Sequence, residues 1–307
     1  MDLANILRLG WAPNIIGCIG PRSFTTDRLF RARGITLNSV QPFGFTVYIG
    51  NTQHTTHYFA HEADRFATAA FESVTTLAKS QNQARSVAWM LIQTYYSAFF
   101  AVHALLRIRG WACTRLTSAN LASLNSERAL FFPHAENFNA GLYWIKIDHG
   151  GRELQCKKLD SATGGTHELL WSLLQDYLAD STAMALANRD VDAQDYAALV
   201  QRFTDFVAKH GGDKWFTSTR NRINYSHEFG TWFPYNGSTC DWERVSLEIQ
   251  KWRDPANQIL DDTKGDELMK FARACAFLIA MCRTTIEDLA FRSKSRSPFC
   301  LSSHRLI

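Results

Sequence analysis

Apolar side chains recur along much of this chain at intervals of three and four, the signature of helices with one covered face. Phe66, Ala70, Val74 and Leu77 predict a helix over His61 to Lys79. From Ala84 to Gly110 the apolar residues run nearly all the way round, which predicts a central buried helix ended by glycine. Helical periodicity returns over Thr166 to Ala187, Ala193 to Lys209, Asp213 to Gly230 and Asp241 to Trp252. A last helix is expected over Asp266 to Arg292, where Leu268, Phe271, Cys275, Leu278, Cys282, Ile286 and Leu289 form a continuous stripe.

Two stretches depart from that period. Residues 1–57 carry many glycines and short apolar runs such as Phe45 to Gly50, which predict strands and turns rather than helices. Gly141 to Asp148 and Arg152 to Leu159 flank a His-Gly-Gly turn and predict a β-hairpin, within an insertion over 111–165. The expected architecture is therefore mainly α. A helical bundle over 58–292 carries an N-terminal β-containing extension (1–57), the inserted β-hairpin, and a mobile, basic, serine-rich tail over 293–307. No internal repeat is visible.

Composition changes this picture little. At 46% apolar and 20% charged residues the chain reads as an ordinary soluble protein. A net charge of +4 permits a nucleic-acid partner without requiring one. Seven cysteines without a CxxC pair argue against a disulfide framework and for a reducing, cytoplasmic setting. Ser86 to Leu106 contains no acidic or basic residue, yet Gln93, Thr94, Tyr95, Tyr96, Ser97 and His103 crowd its middle. A bilayer would penalise them, so a buried helix is expected and no membrane partner. The opening MDLANILRLGW lacks the pattern of a signal peptide.

Candidate chemistry is sparse. His54, His57 and His61 have metal-ligand spacing, but Thr55 and Thr56 look like capping residues, which puts the three across a helix start. With no cysteine nearby, hydrogen-bonded or solvated histidines are expected, with no metal and no cofactor. Arg128 and His134 are broken by Pro133. The Asp213 to Gly230 helix is different. Asp213 suits its N-cap and Gly230 its stop, and Phe216, Arg220, Ile223 and His227 fall within roughly 60° of one another on a helix. Arg220 and His227 would lie about 10 Å apart along the axis, close enough for both to reach one phosphate. Arg222 lies on another face and is read as a contact to a backbone phosphate or as a solvated arginine. The bland alternative makes both arginines surface charge and His227 a capping or buried imidazole.

Two blocks resemble the HEPN superfamily, compact helical domains that are often metal-independent RNases of bacterial toxin and defence systems. The first is Thr94 to Gly110, TYYSAFFAVHALLRIRG, similar to a Tyr-Tyr-Ala-x-Phe-x-Ala-x-x-Ala-Leu-Leu helix of many small bacterial members. The second is Arg220 to His227, RNRINYSH, which fits the family's Arg, polar residue, His pattern. The resemblance covers about residues 58–110 and 166–292. Phe100 stands where many relatives carry histidine, with His103 one turn on.

The resemblance implies an endoribonuclease leaving a 2′,3′-cyclic phosphate and a 5′-hydroxyl. His227 would be the general acid or base, Arg220 the stabiliser of phosphate charge, and Asn221 its orienting neighbour. Arg222, Asn224 and Tyr225 would contact RNA. It also implies a homodimer, with Phe216 and Ile223 at the interface, and a possible antitoxin or regulatory partner. Against this stands a non-catalytic HEPN-like binding or regulatory module, which the N-terminal region and hairpin would suit.

Overall fold

The computed structural model describes residues 1–19, 24–32, 34–79, 86–148, 150–159, 165–237, 241–260 and 265–307. Its helices begin with α1 (Leu3–Arg8), α2 (Thr26–Leu29), α3 (Thr52–Lys79), α4 (Val87–Ile108) and α5 (Ser118–Phe131). They continue with α6 (Thr166–Ala187), α7 (Ala193–Ala208), α8 (Lys214–Asn221), α9 (Trp242–Gln250), α10 (Ala256–Ile259), α11 (Glu267–Arg292) and α12 (Pro298–Leu301). The strands are β1 (Ile35–Gln41), β2 (Gly44–Ile49), β3 (Trp111–Leu116), β4 (Gly141–Ile147) and β5 (Glu153–Lys158). The chain is thus mainly α with one small antiparallel sheet.

Helix α4 is the centre of the helical body, as its all-round apolar pattern requires. Ser86 caps its start by accepting from the Trp89 amide, and α3, α6, α8 and α11 pack around it. Helix α11 is buried without a break from Phe271 to Cys282, and its N-cap Asp266 accepts from the Met269 amide. Cys275 and Cys282 are core residues, as expected for sulfur on an apolar face.

The sheet has the order β1-β2-β5-β4-β3. The expected hairpin forms from β4 and β5, with Ile145 opposite Cys156 and Ile147 opposite Leu154. The N-terminal extension and the insertion share this one sheet, because β2 pairs with β5, placing Phe45 opposite Cys156 and Val47 opposite Leu154. Alternation puts Phe45, Val47, Tyr143, Ile145, Leu154 and Cys156 on one covered face. That face closes a second core with Leu121 and Leu124 of α5, Leu29, Phe30, and Tyr58 and Phe59 of α3.

A dry ionic cluster lies where α2, α3, α4 and β3 meet, between the helical body and the sheet. Arg107, 1% exposed, donates through Nε to Glu62 at 2.9 Å and through a terminal nitrogen to the Cys113 carbonyl at 3.1 Å. Its other terminal nitrogen lies 3.0 Å from His103 Nδ1, and the Thr26 hydroxyl donates to Glu62. Gly110 then turns the chain from α4 into β3 with φ +79°, where an added Cβ would meet the Ile147 side chain at 3.1 Å.

Several expectations are corrected. The opening is not free of helix, since α1 covers Leu3–Arg8. Helix α3 starts at Thr52, so His54, His57 and His61 lie on one helix and gather around Phe24 instead of straddling a helix start. Asn51 supplies the local cap to the His54 amide, and the Thr55 and Thr56 hydroxyls donate back to earlier carbonyls. The tail expected to trail free packs instead: Phe299 is fully buried, and the Ser303 amide donates to Asp64. Arg22 and Arg33 of the extension lie outside the described residues, as does Ala84 at the expected start of α4.

Candidate functional site

The Asp213 to Gly230 stretch is not one regular helix. Helix α8 ends at Asn221, and Arg222–Ser226 widen into a π turn. His227 closes it in the left-handed region at φ 51°, three residues before the glycine expected to do so. The regular angular spacing that aligned Arg220 with His227 therefore does not carry through to the histidine. Asp213 caps nothing with its side chain. Phe216 and Ile223 are 1% and 0% exposed within the single chain, and Phe216 stacks on Trp171 with ring centres 4.3 Å apart. They belong to the core and cannot form a dimer interface.

His227 is exposed, and its described ring contact is Trp232 at 5.9 Å. Trp232 holds this loop in place, since its Nε1 donates to the Ile223 carbonyl at 2.7 Å and its ring meets Trp89 of α4. Asn221 and Asn224 are half-buried and Tyr225 is exposed; among the described residues they make no side-chain hydrogen bond. Arg222 is occupied. Its guanidinium donates to Glu228 and Glu267, each at 2.7 Å, over the Phe229 ring. Hydrogen bonding to it holds the Glu228 carboxyl below the usual range.

Arg220 has a different setting. Its guanidinium lies over the face of Tyr95, 5.4 Å from the ring centre, and among the described residues it pairs with no carboxylate. Its Nε is buried without a hydrogen-bond partner. Tyr95 comes from the Thr94 to Gly110 block and is fully buried. Its hydroxyl accepts from Trp171 Nε1 at 3.3 Å and lies 2.8 Å from Nδ1 of His167, in the first turn of α6. His167 is half-buried and stacks on Phe99, with ring centres 4.3 Å apart. Three helices thus bring an arginine, a phenol and an imidazole together.

Burial, and then the Arg220 charge, hold the His167 imidazole below its ordinary 6.5. Burial lifts the Tyr95 phenol above 10.0, opposed by hydrogen bonding from Trp171 and Thr217 and by Arg220. Both neighbours of Arg220 are accordingly neutral near pH 7. Behind them His103, fully enclosed, is held well below 6.5 by burial and then by Arg107 and His167.

The sequence did not announce His167, a lone histidine after a glycine pair. The only hint was a tyrosine pair on a helix otherwise too apolar to satisfy a hydroxyl. The roomier clefts lie elsewhere. One of about 600 Å³ is lined by Phe43, Phe138 and Lys158, and one of about 450 Å³ by Asn14, Asn51 and Thr52. Among the described residues no group of histidine, cysteine and carboxylate side chains is placed to hold a metal ion, and no helix is long and apolar enough to cross a membrane. No family model, curated protein or solved structure matches the chain, which leaves its side-chain geometry as the ground for a functional reading.

Proposed function

We propose that the protein is a HEPN-type endoribonuclease that cuts RNA to 2′,3′-cyclic phosphate and 5′-hydroxyl ends, as a toxin or anti-phage effector. The observation that carries this reading is Arg220: a half-buried guanidinium with no carboxylate among the described residues, on the helix that runs into an exposed imidazole. A partly buried cation of this kind, without a carboxylate, favours an anionic partner, and a phosphodiester is one. The RNA 2′-hydroxyl is an internal nucleophile beside the phosphorus, so the step needs only proton transfer and charge stabilisation. His227 is the group with open access to solvent for the proton transfer. Arg220 stabilises the phosphate oxygens as charge builds. The assembly is a homodimer, tested by light scattering on the eluting peak; its contacts fall on exposed side chains such as Tyr225 and Phe233 rather than on Phe216 and Ile223.

The direct test is incubation of pure protein with total RNA in EDTA, followed by end-group analysis. Discrete fragments with cyclic phosphate ends are expected, lost in Arg220→Gln and His227→Ala. Intact RNA with the unaltered chain, or full cleavage by both variants, refutes the reading. The second reading, a non-catalytic module that binds a phosphate-bearing ligand or a partner protein, is favoured by one observation. The described contact of Arg220 is Tyr95, whose hydroxyl meets His167, whereas that of His227 is Trp232. Inert RNA together with a stable co-purifying partner supports it.

A further inference from the structure

Packed arginines in this chain are almost all neutralised. Arg8 meets Asp288, Arg107 meets Glu62, Arg109 meets Asp180, Arg222 meets Glu228 and Glu267, Arg273 meets Glu248, and Arg283 meets Glu287. Arg128 is held by the Ala135 carbonyl and the Asn137 amide oxygen. Among the described packed arginines, Arg220 has neither a carboxylate nor a backbone or amide acceptor, whereas Arg128, whose Nε is also buried without a partner, at least has two neutral oxygens on its terminal nitrogens. The Arg220 Nε is cut off from both water and acceptors, and the group lies over the Tyr95 ring, whose hydroxyl meets the His167 imidazole. A half-buried guanidinium with an unpartnered Nε and no carboxylate beside it among the described residues is well placed to take an oxyanion ligand.

The hydrogen-bond network also prepares a second donor. Trp171 Nε1 donates to the Tyr95 oxygen, and we take the Tyr95 hydroxyl proton to point at Nδ1 of His167. That assigns the proton of the neutral imidazole to Nε2, on the far side of the ring from Tyr95. Among the described residues Nε2 bonds no protein group. We propose that Arg220, Tyr95 and His167 form a binding site for a phosphate-type oxyanion, with Arg220 supplying the charge, His167 a second donor, and Tyr95 fixing the imidazole. The site goes beyond the ribonuclease reading, because it requires neither His227 nor bond cleavage.

The groups that face His167 are Tyr95, Tyr96 and His103 from α4 and Arg220 from α8. No carboxylate is among these described neighbours, so a bound phosphate would place a negative charge directly beside the imidazole. It should raise the imidazole titration midpoint by about one unit, from a starting value below 6.5.

The test is proton NMR of the histidine ring signals in the full chain, with His167 assigned by His167→Gln. Three probes separate the sources of the anion: inorganic phosphate, a nucleoside 5′-monophosphate, and a 2′-O-methylated RNA oligonucleotide that supplies uncleavable diesters. Sodium chloride at matched ionic strength is the control. The expected result is a rise in the His167 midpoint with at least one probe, absent with chloride, and lost in Arg220→Gln. Tyr95→Phe keeps the fold packing and should reduce the response several-fold. A midpoint indifferent to all three probes overturns the site, and so does a response that survives Arg220→Gln. An intact phosphate response in a protein that leaves RNA uncut refutes the ribonuclease reading while supporting the site. RNA cleavage with an unresponsive His167 does the reverse.

Discussion

Replacing Arg107 with methionine should remove a large part of the stability of this protein. The side chain is 2% exposed and its Glu62 partner 10% exposed, with Nε to Oε2 at 2.9 Å. Methionine fills most of the volume but leaves the carboxylate in a dry site. It also strips the Cys113 carbonyl and His103 Nδ1 of their partner. Breaking one side of a buried pair costs about 3–5 kcal/mol. Arg65, 3.6 Å from Glu62 and 38% exposed at its side chain, offers partial compensation, which places the loss near the lower end, at about 3 kcal/mol. That is a substantial fraction of the roughly 5–15 kcal/mol that holds a domain folded. Urea unfolding followed by the fluorescence of the nine tryptophans measures it. The double variant Arg107→Met/Glu62→Met removes both charges and should recover about 2 kcal/mol of the loss, leaving mainly neutral groups unpaired. A single-variant loss below about 1 kcal/mol, or a double variant no better than the single, would refute the reasoning, because it would mean that the pair is hydrated.

Three further outcomes are expected. Arg222→Ala should retain RNA cleavage within a few-fold, because its guanidinium is already committed to Glu228 and Glu267, whereas Arg220→Ala should lose about 10²-fold or more; gel-based initial rates decide, and the reverse order refutes the assignment. His103 is buried neutral, with its folded value well below the unfolded 6.5, so the unfolded chain binds the extra proton as pH falls below 6.5 and stability declines there, by up to about 1.4 kcal/mol per pH unit. Urea midpoints between pH 5 and 8 should show that slope flattened in His103→Phe, and an unchanged slope counts against it. Phe299→Ala should cost about 3–5 kcal/mol, since the ring is fully buried against the helical body; a neutral result in thermal melts would restore the freely trailing tail.

What the sequence revealed follows from how local each signal was. Helices α4 and α11 were legible because their apolar residues alone dictate burial, and the β4–β5 hairpin because alternation and a glycine pair sit side by side. The pairing of β2 with β5 was not legible, since it joins residues more than a hundred positions apart and leaves no local trace. The first turns of α3 were missed because Thr52 to His57 is polar and threonine-rich, poor in helical period, and only tertiary packing around Phe24 and Tyr58 recruits it. At the candidate site Arg220 was found from its neighbours on α8. The π turn that follows has no proline or glycine to mark it, so the position of His227 was extrapolated from a regular helix that ends at Asn221. His167 lies 72 residues from the tyrosine it meets, beyond the reach of any spacing argument.

The shared sheet has a practical consequence for anyone who divides this chain. A fragment beginning near residue 58 would strip β2 from β5 and lay bare Leu154 and Cys156, beside a row of amides and carbonyls with no strand to answer them. Such an edge recruits strands from other molecules, so the shortened protein should clump rather than behave as a leaner version of the parent. The opening segment and the hairpin guard each other, and whatever transplants one into a new scaffold must carry both.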